Sequence, residues 1–180
     1  ESLVRHSHCS DLLIMTQPDP AAAGQRADRA MLEQVLLHSA RPCLLLPYAG
    51  RFANLGERVL VAWDDSREAA RAVADALPLL RRAQQVKVIN WNEGGLGDTP
   101  TRAGLEALQQ WLLWHGVAAE THSASTDIAI ADAMLSQAAD LDADLIVMGA
   151  YGHSRWTERM LGGATRGLLA SMTVPVLMSH

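Results

Sequence analysis

The sequence predicts an α/β protein: a mostly parallel sheet with helices on both faces. Short apolar runs bounded by turn residues recur along the chain, and they lack the alternation of a half-exposed strand. Between them, apolar residues step by three and four, as in amphipathic helices. The order of these two patterns from residue 57 onward is β-α-β-α-β-α-β-α-β, which calls for right-handed crossovers between parallel strands.

Taken in order, residues 11–15 (DLLIM) and 41–46 (RPCLLL) are strand candidates, as are 58–63 (RVLVAW), 86–91 (VKVINW), 118–123, 144–148 (DLIVM) and 174–178 (VPVLM). A helix is predicted through Ala70, Val73, Leu77 and Leu80, with Ser66 as its N-cap and a bend at Pro78. A second runs through Leu105, Leu108 and Leu112, with Thr99 as cap and Pro100 at its first position. A third passes through Ile128, Ala131, Leu135 and Ala138 with Thr126 as cap. Trp111 and Trp114 are expected to help cover a sheet face.

An internal repeat sets the domain organisation. DLLIM at 11–15 matches DLIVM at 144–148, an offset of 144 − 11 = 133, and Pro42 and Pro175 give 175 − 42 = 133 again. Residues 1–50 therefore read as the closing strand-helix-strand of a first repeat, 51–56 as a linker, and 57–180 as a complete second repeat. The expectation is a piece of a longer tandem protein, its first repeat starting upstream of Glu1. Strands in 1–50 would then pair with another copy or with the second repeat's sheet edge, or else be poorly ordered. At least a dimer is expected.

Composition narrows the class of partner. With 180 residues, 49% hydrophobic and 19% charged, the chain can bury a core, and two cysteines do not make a disulfide scaffold. A net charge of −5 argues against nucleic acid or an anionic membrane as the main partner. No apolar run approaches the roughly 18 residues of a membrane span, and no secretory leader pattern is visible, so a cytoplasmic setting is expected.

The candidate chemistry sits at strand ends. Gly149-Ala-Tyr-Gly152 follows a strand, and Gly162-Gly163 opens the next helix. Glycines there let the backbone approach a ligand, and a helix start aims free N–H groups at an anion; Arg155, Arg159 and Arg166 add positive charge. Spacing alone leaves open both a phosphate site and a plain glycine-rich connection. Asp64, at the end of its strand, is placed to accept hydrogen bonds from a ribose or base, or else to form a turn with Asp65 and Ser66. His6, His8 and Cys9 lack a fourth ligand at zinc spacing, and Cys9 and Cys43 are expected to stay reduced. No serine, histidine and acid grouping marks a hydrolase.

Residues 59–66 (VLVAWDDS) resemble the opening strand of universal stress protein domains. Residues 144–153 (DLIVMGAYGH) are similar to that family's penultimate strand and glycine loop, and 173–178 (TVPVLM) to its closing strand. Gly149, Gly152 and Gly162 match its G-x2-G-x9-G-[ST] motif. The resemblance spans 57–180, with a half-domain at 1–50. It implies a Rossmann-like, adenine nucleotide α-hydrolase-like sheet of five parallel strands, frequent dimerisation through the last strand, and ATP as ligand. Asp64 and the Trp91 backbone would meet the base or ribose; Gly149, Gly152, Gly162, Gly163, Ala164 and Thr165 would hold ribose and phosphates. Gly163 replaces the motif's hydroxyl residue, and Asp65 replaces the glycine after the strand-one aspartate, adding negative charge. In the first repeat the motif positions become Thr16, Asp19, Arg29 and Ala30, so no nucleotide is expected there. The function implied is an ATP-binding, stress-responsive regulator rather than an enzyme, with no metal. The alternatives are a structural module of the same family that binds no nucleotide, or a related adenine-nucleotide-dependent enzyme.

Overall fold

The computed structural model describes residues 2–19, 21, 25–93, 102–151 and 163–180. Its elements are α1 (Ser2–Ser7), β1 (Leu13–Thr16), α2 (Gln25–His38), β2 (Cys43–Leu46), β3 (Arg58–Ala62), α3 (Arg67–Leu80), β4 (Gln85–Glu93), α4 (Arg102–Trp114), β5 (Ala119–Thr126), α5 (Ile130–Asp140), β6 (Leu145–Gly149), α6 (Gly163–Ser171) and β7 (Val176–Ser179). The apolar runs form strands because both of their faces are covered. Leu60, Val61, Ile146 and Val147 have no exposed surface, and each such aliphatic side chain contributes about 1.5–3 kcal/mol. Leu32, Leu60, Ala131, Met134, Ile146 and Leu168 share the core on the α2, α5 and α6 face. Val61, Ala72, Val73, Leu108, Leu112 and Val147 share the core on the α3 and α4 face.

One sheet of seven strands runs in the order β1-β2-β7-β6-β3-β4-β5. The five strands from β7 to β5 are mutually parallel, which is the predicted sheet. β1 and β2 are parallel to each other, and β2 joins β7 antiparallel. Of the three fates expected for the strands in 1–50, pairing with the second repeat's sheet edge is the one the structure adopts. That pairing fills the outer edge of β7 within one chain, the edge that dimerisation through the last strand would use. The open edges of the described sheet are those of β1 and β5.

The offset of 133 reappears as a register. Leu44 pairs with Leu177 (177 − 44 = 133), flanked by Cys43 with Met178 and Leu45 with Val176, so a local two-fold passes through the central pair. Leu13 pairs with Cys43 as Ile146 pairs with Val176. Connecting bonds repeat too. Leu13 N–H donates to Pro42 O at 3.0 Å and Ile146 N–H to Pro175 O at 2.9 Å; Gln17 N–H donates to Leu46 O at 2.7 Å and Ala150 N–H to Ser179 O at 2.8 Å.

The linker is tied down by one carboxylate. Asp144 accepts from the backbone N–H groups of Gly56 (3.1 Å), Glu57 (2.9 Å) and Arg58 (3.0 Å), which fixes where β3 enters the sheet beside β6. Arg58 in turn pairs with Asp142 at 2.8 Å.

Several local expectations are corrected. The buried face of α3 is Ala69, Ala72, Val73, Ala76 and Leu80, while Ala70 is exposed and Leu77 only half-buried. Small residues line that face because the helix start lies hard against the end of β6. The helix continues past the exposed Pro78 to Leu80. Thr126 ends β5 and its hydroxyl oxygen accepts from Ile128 N–H at 3.2 Å, whereas α5 begins at Ile130 without a side-chain cap. Ile128, 54% exposed, is therefore outside that helix. Trp114 is 75% exposed and covers no sheet face, whereas Leu112 is buried there and the half-buried Trp111 packs against the same core as expected, with His115 against its ring at 4.1 Å. Thr99 and Pro100 lie outside the described residues. Among the described residues no helix is long and apolar enough to cross a membrane.

Candidate functional site

The chain builds β3, β4 and β5 outward in one direction, then returns to place β6 and β7 on the other side of β3. Strand order thus reverses between β3 and β6, and in open α/β sheets the crevice at such a switch point, outside the carboxyl ends, is where ligands bind. Two segments meet there, Trp63–Ser66 leaving β3 and Gly149–Tyr151 leaving β6.

Asp64 and Ser66 are held by a short relay. Asp64 Oδ1 accepts from Ser66 N–H (3.1 Å) and from the Ser66 hydroxyl (2.6 Å), whose oxygen accepts from Ala69 N–H at 3.1 Å as the predicted N-cap of α3. The turn between them puts Asp65 at φ 61°. Aspartate is among the few residues that tolerate this left-handed conformation. Asp65 is exposed, whereas Glu68 in the first helical turn is 4% exposed and accepts from Arg67 Nε.

Gly149 is needed for a different reason from the one its motif suggests. A Cβ there would sit 2.6 Å from Ala69 N and 2.7 Å from the Glu68 carbonyl carbon, so the glycine lets β6 touch the start of α3. Beyond it, Ala150 N–H donates to Ser179 O, and the Tyr151 N–H donates to Thr165 Oγ1 at 3.2 Å. Tyr151 also has φ 61°. Its ring is buried, which pushes the phenol pKa up to about 12; Glu33 adds to the rise, while Arg166 and Arg29 oppose it.

Of the residues expected at the site, Asp64 and Gly149 lie at the crevice, and Trp91 is half-buried on β4 beside it. Gly163 opens α6, exposed, with open space where a side chain would go, and Ala164 is half-buried. Thr165 is 2% exposed, and its hydroxyl oxygen accepts from the Tyr151 N–H at 3.2 Å. Gly152 and Gly162 lie outside the described residues, as do Arg155 and Arg159. Among the described residues no group of three side chains is arranged to hold a metal ion, and Cys9 and Cys43 are free thiols.

Two residues at the crevice escaped the sequence reading. Glu68 was not singled out at all, yet it is 4% exposed and lies against Gly149. Asn90 is 2% exposed and its Nδ2 donates to Trp63 O at 2.9 Å, next to the Trp63 N–H to Ile89 O bond at 2.9 Å. No signal in one sequence marks it, because its task arises where the β3–β4 backbone pairing stops at Ala62 and Ile89. A second cleft, of about 300 Å³, lies at the opposite, amino ends of the strands. Of its polar wall residues, Arg58 is paired with Asp142 and Asp144 with backbone.

Comparison with known proteins agrees with this architecture. The model of the universal stress protein family matches residues 56–180. A universal stress protein from Archaeoglobus fulgidus DSM 4304 superposes with a TM-score of 0.73 at 22% identity, over 99% of this chain and 63% of its own. This chain thus spans less than two thirds of that relative's length. UspA from Lactobacillus plantarum gives 0.59 at 18% identity, over 71% of this chain and 99% of its own. A universal stress protein solved in complex with cAMP gives 0.55 at 24% identity, over 69% and 96%. No curated protein matches the sequence. With residues 56–180 matched and its sheet built in the same way, the chain belongs to the universal stress protein family.

Proposed function

We propose that residues 57–180 form an adenine-nucleotide-binding regulatory module and that residues 1–50 are the closing half of a first, degenerate domain joined by a linker at 51–56. The observation that carries the nucleotide reading is the crevice itself, where Asp64, fixed through Ser66 and the α3 N-terminus, leaves β3 beside the Gly149 end of its parallel neighbour β6. A structure in complex with cAMP exists for a relative of this fold, which makes a nucleotide the natural ligand class to test. Occupancy would bias contacts with a partner or a second copy through the β1 or β5 edges. The role is that of a cytoplasmic, stress-responsive sensor rather than an enzyme.

A second reading, a family member that has lost its ligand, is favoured by a specific set of facts. Gly163 carries no hydroxyl, and both the Thr165 hydroxyl and the Tyr151 amide are engaged with each other. Calorimetric titration of ATP into wild type and Gly163→Ser separates the two. The open space at Gly163 accepts a serine, whose hydroxyl should strengthen binding by about 1 kcal/mol, roughly fivefold. If neither protein binds at millimolar ATP, the ATP reading fails.

A further inference from the structure

The two open edges of the described sheet are unlike. On β5 the carbonyl of Ala119 accepts from Gln109 Nε2 at 2.7 Å, and Glu120 and His122 stand exposed along the strand. A polar, partly capped edge of this kind discourages a further strand. β1 carries neither device, being Leu13-Ile-Met-Thr16, without charge or proline. Leu13 and Gln17 donate their N–H groups to β2. By alternation along the strand, the backbone groups of Leu12, Ile14 and Thr16 point away from it.

The apolar pattern of the sheet ends on the same strand. One row runs from Val88 through Val61, Val147, Leu177 and Leu44 to Ile14. The first five are buried, and Ile14, 63% exposed, is where the row meets solvent. The chain already closes one edge with an antiparallel joint, β2 on β7, whose local two-fold lies in this row at Leu44 and Leu177. We propose that β1 pairs antiparallel with β1 of a second copy of this chain, about a two-fold through Ile14. In that register Ile14 lies opposite its own copy, and Leu12 opposite the second copy's Thr16, so the outward backbone groups meet. Asp11 then falls opposite Gln17 of the second copy, and no like charges oppose each other. β2 and β7 separate this joint from the β3–β6 crevice, so it does not depend on the nucleotide reading. A strand edge this short makes a small interface, with a dissociation constant of about 10–100 µM.

Sedimentation velocity of the whole chain from about 1 to about 300 µM should show monomer passing to dimer. Ile14→Lys, checked for folding by circular dichroism, sets two like charges face to face and should weaken the dimer about tenfold or more. Register is read by cross-linking in a Cys9→Ser background. Ile14→Cys places the two copies' Cα atoms about 5.5 Å apart, within disulfide reach, and should cross-link under mild oxidation. Thr16→Cys leaves them more than about 13 Å apart and should not. A monomer throughout the range would leave the edge to a strand of another kind and overturn the proposal. A dimer unmoved by a folded Ile14→Lys protein would put the contact elsewhere and overturn it too. Cross-linking at Thr16 and not at Ile14 would overturn the register.

Discussion

Ile14 and Val147 occupy the same rung in the two halves of the molecule, each paired to the central leucine of its neighbouring strand, yet Ile14 is 63% exposed and Val147 wholly buried. The difference comes from what lies beside and above. β6 has β3 on its second edge and α3 packed over it, and β1 has neither among the described residues. Register is therefore a local property of strand, helix and strand, which both halves retain. Burial and binding depend on what the rest of a domain adds.

The strand ends differ in the same way. Ala150, just past the end of β6, is a small side chain wholly buried in the core. Its counterpart Gln17 is buried, donating through Nε2 to Leu169 O at 2.9 Å and accepting from Tyr48 N–H at 3.2 Å. The position that holds a small buried alanine in one half is, in the other, a polar side chain that ties β1 to α6.

The largest break in the comparison should come at Gly149. Gly149→Ala drives a Cβ into backbone, which cannot give way cheaply, and should cost about 3 kcal/mol in a urea unfolding curve. The exposed counterpart Thr16 should accept alanine at a cost below about 1 kcal/mol. Next is Asp144. Its loss to alanine leaves three backbone N–H groups without their acceptor and should cost about 2 kcal/mol, against less than about 0.5 kcal/mol for the exposed Asp11→Ala. Equal costs at Asp144 and Asp11 would mean that the linker anchor is not what holds β3 in place.

Asp65→Gly relieves a left-handed residue and should raise stability by about 0.5–1 kcal/mol, read as a shift in melting temperature. Cys43→Val installs the second half's residue and should change stability at pH 7 by less than about 0.5 kcal/mol. The variant should differ in alkali. Burial lifts the Cys43 thiol from 9.0 to about 12, so the stability it contributes is present below pH 9 and declines as pH rises from there towards 12. Denaturant melts at pH 7 and pH 10 should show that decline in wild type and not in Cys43→Val.

Much of this was written in the sequence. The two-half register was readable because DLLIM and DLIVM keep their spacing to Pro42 and Pro175, and spacing along a strand-helix-strand unit determines pairing. The cap at Ser66 was readable because it precedes an apolar helical run and sits two residues from an aspartate. The face of α3 was misjudged by one position, since the pattern favoured large residues and the contact with Gly149 favours alanine. The bond from the Tyr151 N–H to the Thr165 hydroxyl oxygen was not legible, because it depends on the turn that follows β6. Asn90 was invisible because only the end of a backbone ladder gives its carboxamide something to hold.

The central claim joins the register that appears twice to the proposal that only the second half binds a ligand. Amide ¹H–¹⁵N spectra of the whole chain titrated with adenosine test this most directly. The account predicts shifts concentrated at residues 63–66, 90–91 and 149–151, with residues 13–19 and 46–48 unmoved. Shifts centred on Thr16, Gln17 and Tyr48, or none at millimolar adenosine, would contradict it.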